Sequence, residues 1–264
     1  MRDGRGQEGE GRAAEAAGGI AADAADAGDA ADAADAGAPV LSRGRSGVFY
    51  GWAMVPVATL AMVSTSPGQS FGVGVFKPFF GEALGMSDGA VSGMYAAATA
   101  TAALPMFFVG WLMDRIGPRR TMAGAVLMVC LGCLAASRAT GPASLFLAFV
   151  LLRMFGQGAL GLLAGNTLAL WFNRKLGLAQ GIMTTGMAGS IMLTPMLINR
   201  LIAYHGDWRP AYLTLGVIVA SVMTPLLLFV YRNRPEDLGQ RPDGDPPDPV
   251  ASVDLRRPAA RGGP

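Results

Sequence analysis

Charged side chains and histidine are scarce in this chain. Only 15% of its 264 residues are charged, whereas about a quarter is usual for a soluble domain. There is a single histidine, His205, and only four carboxylates fall between residues 48 and 231. Hydrolytic dyads, metal clusters and phosphate-binding loops therefore lack their parts. We expect no enzyme, no catalytic residue, no metal site and no cofactor.

Cysteine is nearly absent as well. The only two, Cys130 and Cys133, stand in one apolar run, and a redox pair would need exposed, polarised thiols. We interpret them as small buried hydrophobes. The basic residues form short clusters beside apolar runs instead of following one face, so we expect no nucleic-acid partner.

Long apolar runs are what the chain has in abundance. Six of them have roughly the ~20 residues needed to cross a bilayer, so lipid is the expected surrounding. The predicted fold is an all-α membrane protein with six transmembrane helices. The predicted crossings are 48–71, 89–113, 121–137, 143–172, 176–203 and 211–231.

Lysine and arginine are unequally shared between the loops. Ten lie on the side of the N-terminus and four on the other side, which by the positive-inside rule makes the first side cytoplasmic. We expect a multi-pass protein of the cell (plasma) membrane with both termini in the cytoplasm.

The two ends differ in composition from the middle. Residues 1–46 are rich in Ala, Asp and Gly, and residues 233–264 are rich in Pro, Asp, Arg and Gly. Neither end holds enough large apolar residues to offset its ordering entropy. We expect disorder at 1–46, a six-helix domain over 47–232, and a disordered cytoplasmic loop or tail over 233–264. An upstream extension of the reading frame is an alternative explanation of the first segment.

Arg153 is the one ionisable residue deep within the predicted membrane domain. A charge there costs several kcal/mol unless it faces a polar cavity or a partner. Gln157 follows one helical turn later, so we predict a polar face that binds a small anionic substrate. The alternative is that Arg153 ties helices together through backbone carbonyls.

Small residues mark faces where helices pack closely. The second and fifth predicted helices are rich in them and should pack against protein, whereas the third and sixth suit a lipid-facing rim. The glycines predicted to pack are Gly158, Gly161, Gly165, Gly181, Gly186 and Gly189.

Five ordered motifs resemble those of the major facilitator superfamily. They are GWLMDRIGPRR at 110–120, RMFGQGALG at 153–161, WFNRKLGLAQGIMTTGMAG at 171–189, GDWRPAY at 206–212 and NRPEDLGQRPDG at 233–244. YGW at 50–52 and GVGVFKPFF at 72–80 resemble its bacterial monocarboxylate and oxalate/formate branch. The resemblance implies a secondary carrier, here of organic anions such as monocarboxylates, that works by alternating access.

The resemblance also implies that the hairpin at 110–120 helps to gate the cytoplasmic side. Its basic residues would pair across loops, and its glycines would allow close approach and a tight turn. The positive-inside rule explains the arginines in part without any gate. The implied gating residues are Gly110, Asp114, Arg115, Gly117, Arg119 and Arg120.

The superfamily implies two halves, each of two inverted three-helix repeats. GDWR after the fifth run echoes GWLMDR after the second, on the opposite membrane side, and no apolar run follows Tyr231. We therefore expect the amino-terminal half of a carrier. A second half-transporter chain, a homodimer, and a truncation or frameshift near Gly244 all stay open. A non-transporting fragment or a six-helix subunit that needs a partner chain is the competing interpretation.

Overall fold

The computed structural model describes residues 49–245, and residues 1–48 and 246–264 lie outside it. The regular structure of the described range is helical. Its α-helices are α1 (Gly51–Val63), α2 (Ser70–Leu84), α3 (Asp88–Ala103), α4 (Met106–Ile116), α5 (Pro118–Ser137), α6 (Pro142–Leu151), α7 (Gly161–Trp171), α8 (Leu176–His205) and α9 (Trp208–Pro225).

Wider and tighter helical turns join some of these elements. Two π-helical segments, Leu152–Leu160 and Leu226–Val230, join α6 to α7 and extend α9. Three 3₁₀ turns, Ser66–Gly68, Pro235–Leu238 and Pro242–Gly244, lie after α1 and in the segment beyond α9.

Four helical stretches of the described range are long and apolar enough to cross a membrane. A fifth forms if α3 and α4, bent by 43° with respect to each other, count as one span. Pro105 lies at the break, since α3 ends at Ala103 and α4 begins at Met106. The four long stretches are Pro118–Ser137, Pro142–Trp171, Leu176–His205 and Trp208–Val230.

The first predicted crossing, 48–71, is divided in the structure. Helix α1 ends at Val63, and a 3₁₀ turn containing Pro67 and Gly68 separates it from α2. At 1.5 Å per residue neither part alone spans the ~30 Å hydrocarbon core. The number of six crossings therefore stays a prediction.

Helix α5 lies at the centre of the bundle and packs most extensively against α9. Half of its apolar window is buried, against 22% for α8, so the third predicted helix is more buried within this chain than the fifth, the reverse of the expected order. Close backbone approach explains the difference. A Cβ on Gly216 of α9 would lie 2.9 Å from Cys133 Cβ, and one on Gly132 would lie 2.9 Å from Leu152 Cδ2.

The end of α5 and the beginning of α9 are also joined. Arg209, the second residue of α9, donates from Nη2 to the Ala139 carbonyl, 3.3 Å away, just beyond the end of α5. Its guanidinium lies 4.5 Å from the ring of Trp208. A cation beside the carbonyl end of a helix is favoured by the helix dipole.

Candidate functional site

Arg153 lies in the π-helical segment and reaches toward the break between α1 and α2. Its Nη1 donates to the Tyr95 hydroxyl at 2.9 Å and makes a long contact of 3.5 Å with the Gly68 carbonyl. The guanidinium carbon also lies 4.9 Å from the centre of the Tyr95 ring. The side chain of Arg153 is partly buried, and its contact with the Gly68 carbonyl is of the kind that the helix-tying alternative requires.

The π-helical geometry changes which residues accompany Arg153. Five residues rather than four close one hydrogen-bonded turn, so Gly158 comes close to the Arg153 carbonyl, where a Cβ would be 3.5 Å away. Gln157 is exposed. Asn166 lies elsewhere and approaches Met113 Sδ at 3.5 Å. The prediction that Arg153 and Gln157 bind substrate stays a prediction.

The predicted packing glycines fall into two groups. Gly158 meets Met106, Gly186 meets the Thr59 side chain, and Gly165 would place a Cβ 3.7 Å from Gln180 Nε2. Gly161 would place a Cβ 3.9 Å from Met62 Sδ. Around Gly181 and Gly189, no atom of the described range would come within 4 Å of a Cβ.

A group of buried hydroxyls surrounds the break in the first crossing, and sequence reasoning missed it. Ser66 lies 2.7 Å from Ser190 of α8, which lies 3.1 Å from Thr194. Gln69 donates to the Thr65 hydroxyl at 3.0 Å. The run STSPGQ at 64–69, polar within an apolar stretch, was the available signal. Such bonds join helices where water is absent.

The hairpin turns at Gly117, which ends α4 and precedes α5. Its φ of +88° is one that glycine adopts without a steric penalty, so the expected tight turn is present. Gly110 differs, since a Cβ there would meet no atom of the described residues within 4 Å.

Arg119 connects the hairpin to the end of the last crossing. Its Nε and Nη2 donate to the carbonyls of Leu227 and Leu228 at 2.7 and 2.8 Å. Its backbone N–H donates to Asn233 Oδ1 at 3.2 Å. The partners of this arginine are carbonyls and an amide, and residues 49–245 hold no ion pair that involves the hairpin.

The remaining charges of the hairpin are exposed. Arg115 lies 5.3 Å from the ring of Trp111, and Arg120 is exposed. Asp114 lines a cavity of about 540 Å³ together with Asn233, Arg234 and Asp237. The cavity lies between the hairpin and the segment that follows α9, so the two motifs meet at one surface.

Membership of a family follows from comparison with known proteins. The model of the Major Facilitator Superfamily matches residues 59–261 of this chain. The chain belongs to the major facilitator superfamily.

Several curated proteins resemble this superfamily chain. An uncharacterized 38 kDa protein of Thermoproteus tenax is 39% identical over 46% of this chain and 31% of its own length. The uncharacterized MFS-type transporter YcxA of Bacillus subtilis is 34% identical over 51% of this chain and 33% of its own length. Mouse monocarboxylate transporter 14 is 26% identical over 70% of this chain and 38% of its own length. The chain therefore spans about a third of the length of these relatives.

The segment following α9 is ordered in this superfamily chain up to residue 245, where disorder was expected. We call residues 233–245 the inner strap. Its Gln240 Oε1 accepts from the Tyr50 N–H at 3.0 Å, and Arg174 forms an ion pair with Asp245. Polar contacts, not apolar burial, hold it in place, which explains why composition suggested disorder. The expectation of disorder at 1–46, and that for the part of 233–264 beyond residue 245, concern residues outside the described range.

Asp243 makes the densest contact of the inner strap. Its carboxylate accepts from the N–H groups of Asn173, Arg174 and Lys175 at 2.9, 2.6 and 3.1 Å, just before α8 begins. Desolvation acts to raise the pKa of Asp243, but these three bonds and the Arg174 charge outweigh it and lower the pKa below 3.8. All three N–H groups precede the first turn of α8, which begins at Leu176, so Asp243 fixes the loop that leads into this helix.

Proposed function

We propose that this chain is the amino-terminal half of a secondary carrier of small organic anions that works by alternating access. In this proposal, six crossings form two inverted triplets in the plasma membrane, with both termini in the cytoplasm. Substrate would lie against Arg153 and Gln157, and the hairpin would belong to the inner gate. The other half would come from a second chain, a second copy, or a longer form of this protein.

The observation that carries the proposal is the environment of Arg153. This arginine contacts the Gly68 carbonyl at the break between α1 and α2 and the Tyr95 hydroxyl of α3, and its side chain is only partly buried. Broken helices at such positions form substrate sites in many carriers. A fixed cation there favours anions.

Organic anions, and monocarboxylates among them, are the substrate class we favour. A guanidinium binds a carboxylate through two parallel N–H bonds. The mouse relative is named monocarboxylate transporter 14, which supports the same class for this chain.

The gate assignment rests on the hairpin's contacts. Arg119 of the hairpin donates hydrogen bonds to backbone carbonyls. The side chains of Asp114, Arg115 and Arg120 are exposed. Exposed charges can exchange partners at little cost, since a surface ion pair contributes about 0 to 1 kcal/mol. Such pairs suit a surface that opens and closes.

Uptake into proteoliposomes tests the proposal. The full chain and its Arg153→Ala variant are reconstituted and supplied with radiolabelled pyruvate. The matched control is Arg200→Ala, which removes an exposed arginine near the outer end of α8. Uptake that is lost in Arg153→Ala and kept in Arg200→Ala supports the proposal.

A non-transporting fragment or a subunit that needs a partner chain is the second candidate. It is favoured by the extensive exposure of α8, of which only 22% of the apolar window is buried in this chain. The chain also covers about a third of its relatives. Absence of pyruvate uptake in the wild-type chain, with correct insertion shown by protease protection, would support this candidate.

A further inference from the structure

We propose that Tyr95 is a positioning residue that fixes which edge of the Arg153 guanidinium is presented to a carboxylate. The inference rests on the proposed function, because it concerns the same arginine. Sequence reasoning assigned no role to Tyr95, which lies in α3 among small residues.

The Tyr95 hydroxyl forms a directed link between two elements. It accepts from Arg153 Nη1 at 2.9 Å and donates to the Gly68 carbonyl at 3.0 Å. Because its only proton is used toward Gly68, its lone pairs face the guanidinium. The ring adds a cation–π contact at 4.9 Å.

Both neighbours of Arg153 are themselves held by packing. The Tyr95 ring meets Phe149 edge-on, with centres 5.6 Å apart and planes at 88°. Gly68 lies so close to the start of the π-helical segment that a Cβ would lie 2.5 Å from the Leu152 carbonyl oxygen. Tyr95 and Gly68 are therefore fixed before Arg153 contacts them, so orienting the arginine side chain does not include the entropic cost of ordering its partners.

The side-chain hydrogen bonds of Arg153 within the described residues use Nη1 alone. Its Nε is buried and has no hydrogen-bond partner there. An unpaired buried N–H is costly, so an acceptor that reaches the edge formed by Nε and Nη2 gains from satisfying it. A carboxylate matches that edge with two oxygens. Because Nε is enclosed, neighbouring side chains must move when the ligand binds.

The test uses Tyr95→Phe, which removes the hydroxyl and keeps the ring, and Tyr204→Phe as the matched control. Tyr204 is 84% exposed and contacts the His205 ring. The full chain is labelled with ¹⁵N-arginine in lipid nanodiscs, and the Arg153 Nε–H signal is assigned by its loss in Arg153→Lys. Pyruvate is titrated while this signal is followed.

We expect Tyr95→Phe to move or broaden the ligand-free Arg153 signal and to weaken pyruvate binding about tenfold or more. Tyr204→Phe should leave both unchanged. An Arg153 signal and a pyruvate affinity that are the same in Tyr95→Phe and the wild type would overturn the inference, provided that melting curves show both to be folded.

The ligand-free spectra separate this inference from the proposed function. If pyruvate leaves the wild-type signal unmoved, binding of monocarboxylates at Arg153 is refuted. The effect of Tyr95→Phe on the ligand-free signal then decides the positioning alone: a changed signal supports it, and an unchanged one refutes it.

Discussion

Arg119 and Arg209 hold the two ends of the α5–α9 pair in the same way. Each is the second residue of its helix, and each donates to main-chain carbonyls where the other helix ends. The sequence echo between GWLMDR and GDWR aligned Arg209 with Arg115, but the structural counterpart is Arg119. Each guanidinium meets the negative end of a helix dipole, so the two contacts stabilise the antiparallel pair at both membrane faces.

Replacement of Arg119 by alanine should destabilise the protein. The variant loses two hydrogen bonds from a charged group to the carbonyls of Leu227 and Leu228. Each bond of this kind contributes about 1.5 to 3 kcal/mol to stability. We expect the melting temperature in detergent to fall by several degrees. Arg120→Ala is the control, since it removes the neighbouring exposed charge. Equal melting temperatures for the two variants would refute this role of Arg119.

Gly117→Ala should cost stability while Gly110→Ala should not. Gly117 has a φ of +88° and a ψ of 155°, a conformation that essentially only glycine adopts, so alanine there carries backbone strain of about 1 to 3 kcal/mol. Gly110 has open space for a Cβ, and alanine is favoured over glycine within a helix by about 0.5 to 1 kcal/mol. Thermal unfolding of both variants checks the prediction. A stable Gly117→Ala protein would show that the turn relaxes.

Gly186→Ala should disturb the contact between α8 and α1. Its Cβ would collide with the Thr59 methyl group, and rotation of Thr59 would break its bond to the Val55 carbonyl, now 2.8 Å. Overpacking of this kind costs about 1 to 3 kcal/mol. Gly181→Ala on the same helix, where space is open, is the control. In chemical denaturation the free energy of unfolding of Gly186→Ala should be well below that of Gly181→Ala. The reverse order would contradict the packing role of Gly186.

Asp243 should make stability depend on acidity. Its pKa is lower in the folded protein than the usual 3.8, so its contribution is complete above that value and is lost as the pH falls through the folded pKa. Asp243→Asn should therefore melt below the wild type at neutral pH, and the gap should shrink below about pH 4. Asp237→Asn, which alters an exposed carboxylate of the inner strap, serves as the control. A gap of constant size down to pH 3 would exclude the charge as its cause.

The sequence predicted the elements that depend on local chemistry. Apolar runs marked the long helices, Gly117 marked the turn before α5, and the ordered motifs indicated the family that the comparison confirms. Contacts between side chains on different helices could not be predicted from the sequence in this way. Tyr95 meets Arg153 because a broken helix and a π-helical segment bring α3 and Arg153 together, and neither departure from α-helical spacing has a reliable local signature.

The inner strap determines where the polypeptide leaves the helical bundle. It runs from the end of α9 to the start of α8, where Asp243 accepts from three N–H groups, and a Cβ on Gly244 would lie 3.2 Å from Phe49. Residue 245 therefore lies beside the α7–α8 loop and not beneath α9. Any domain, tag or second half joined after this residue is tethered at α8, and its linker length has to be counted from there.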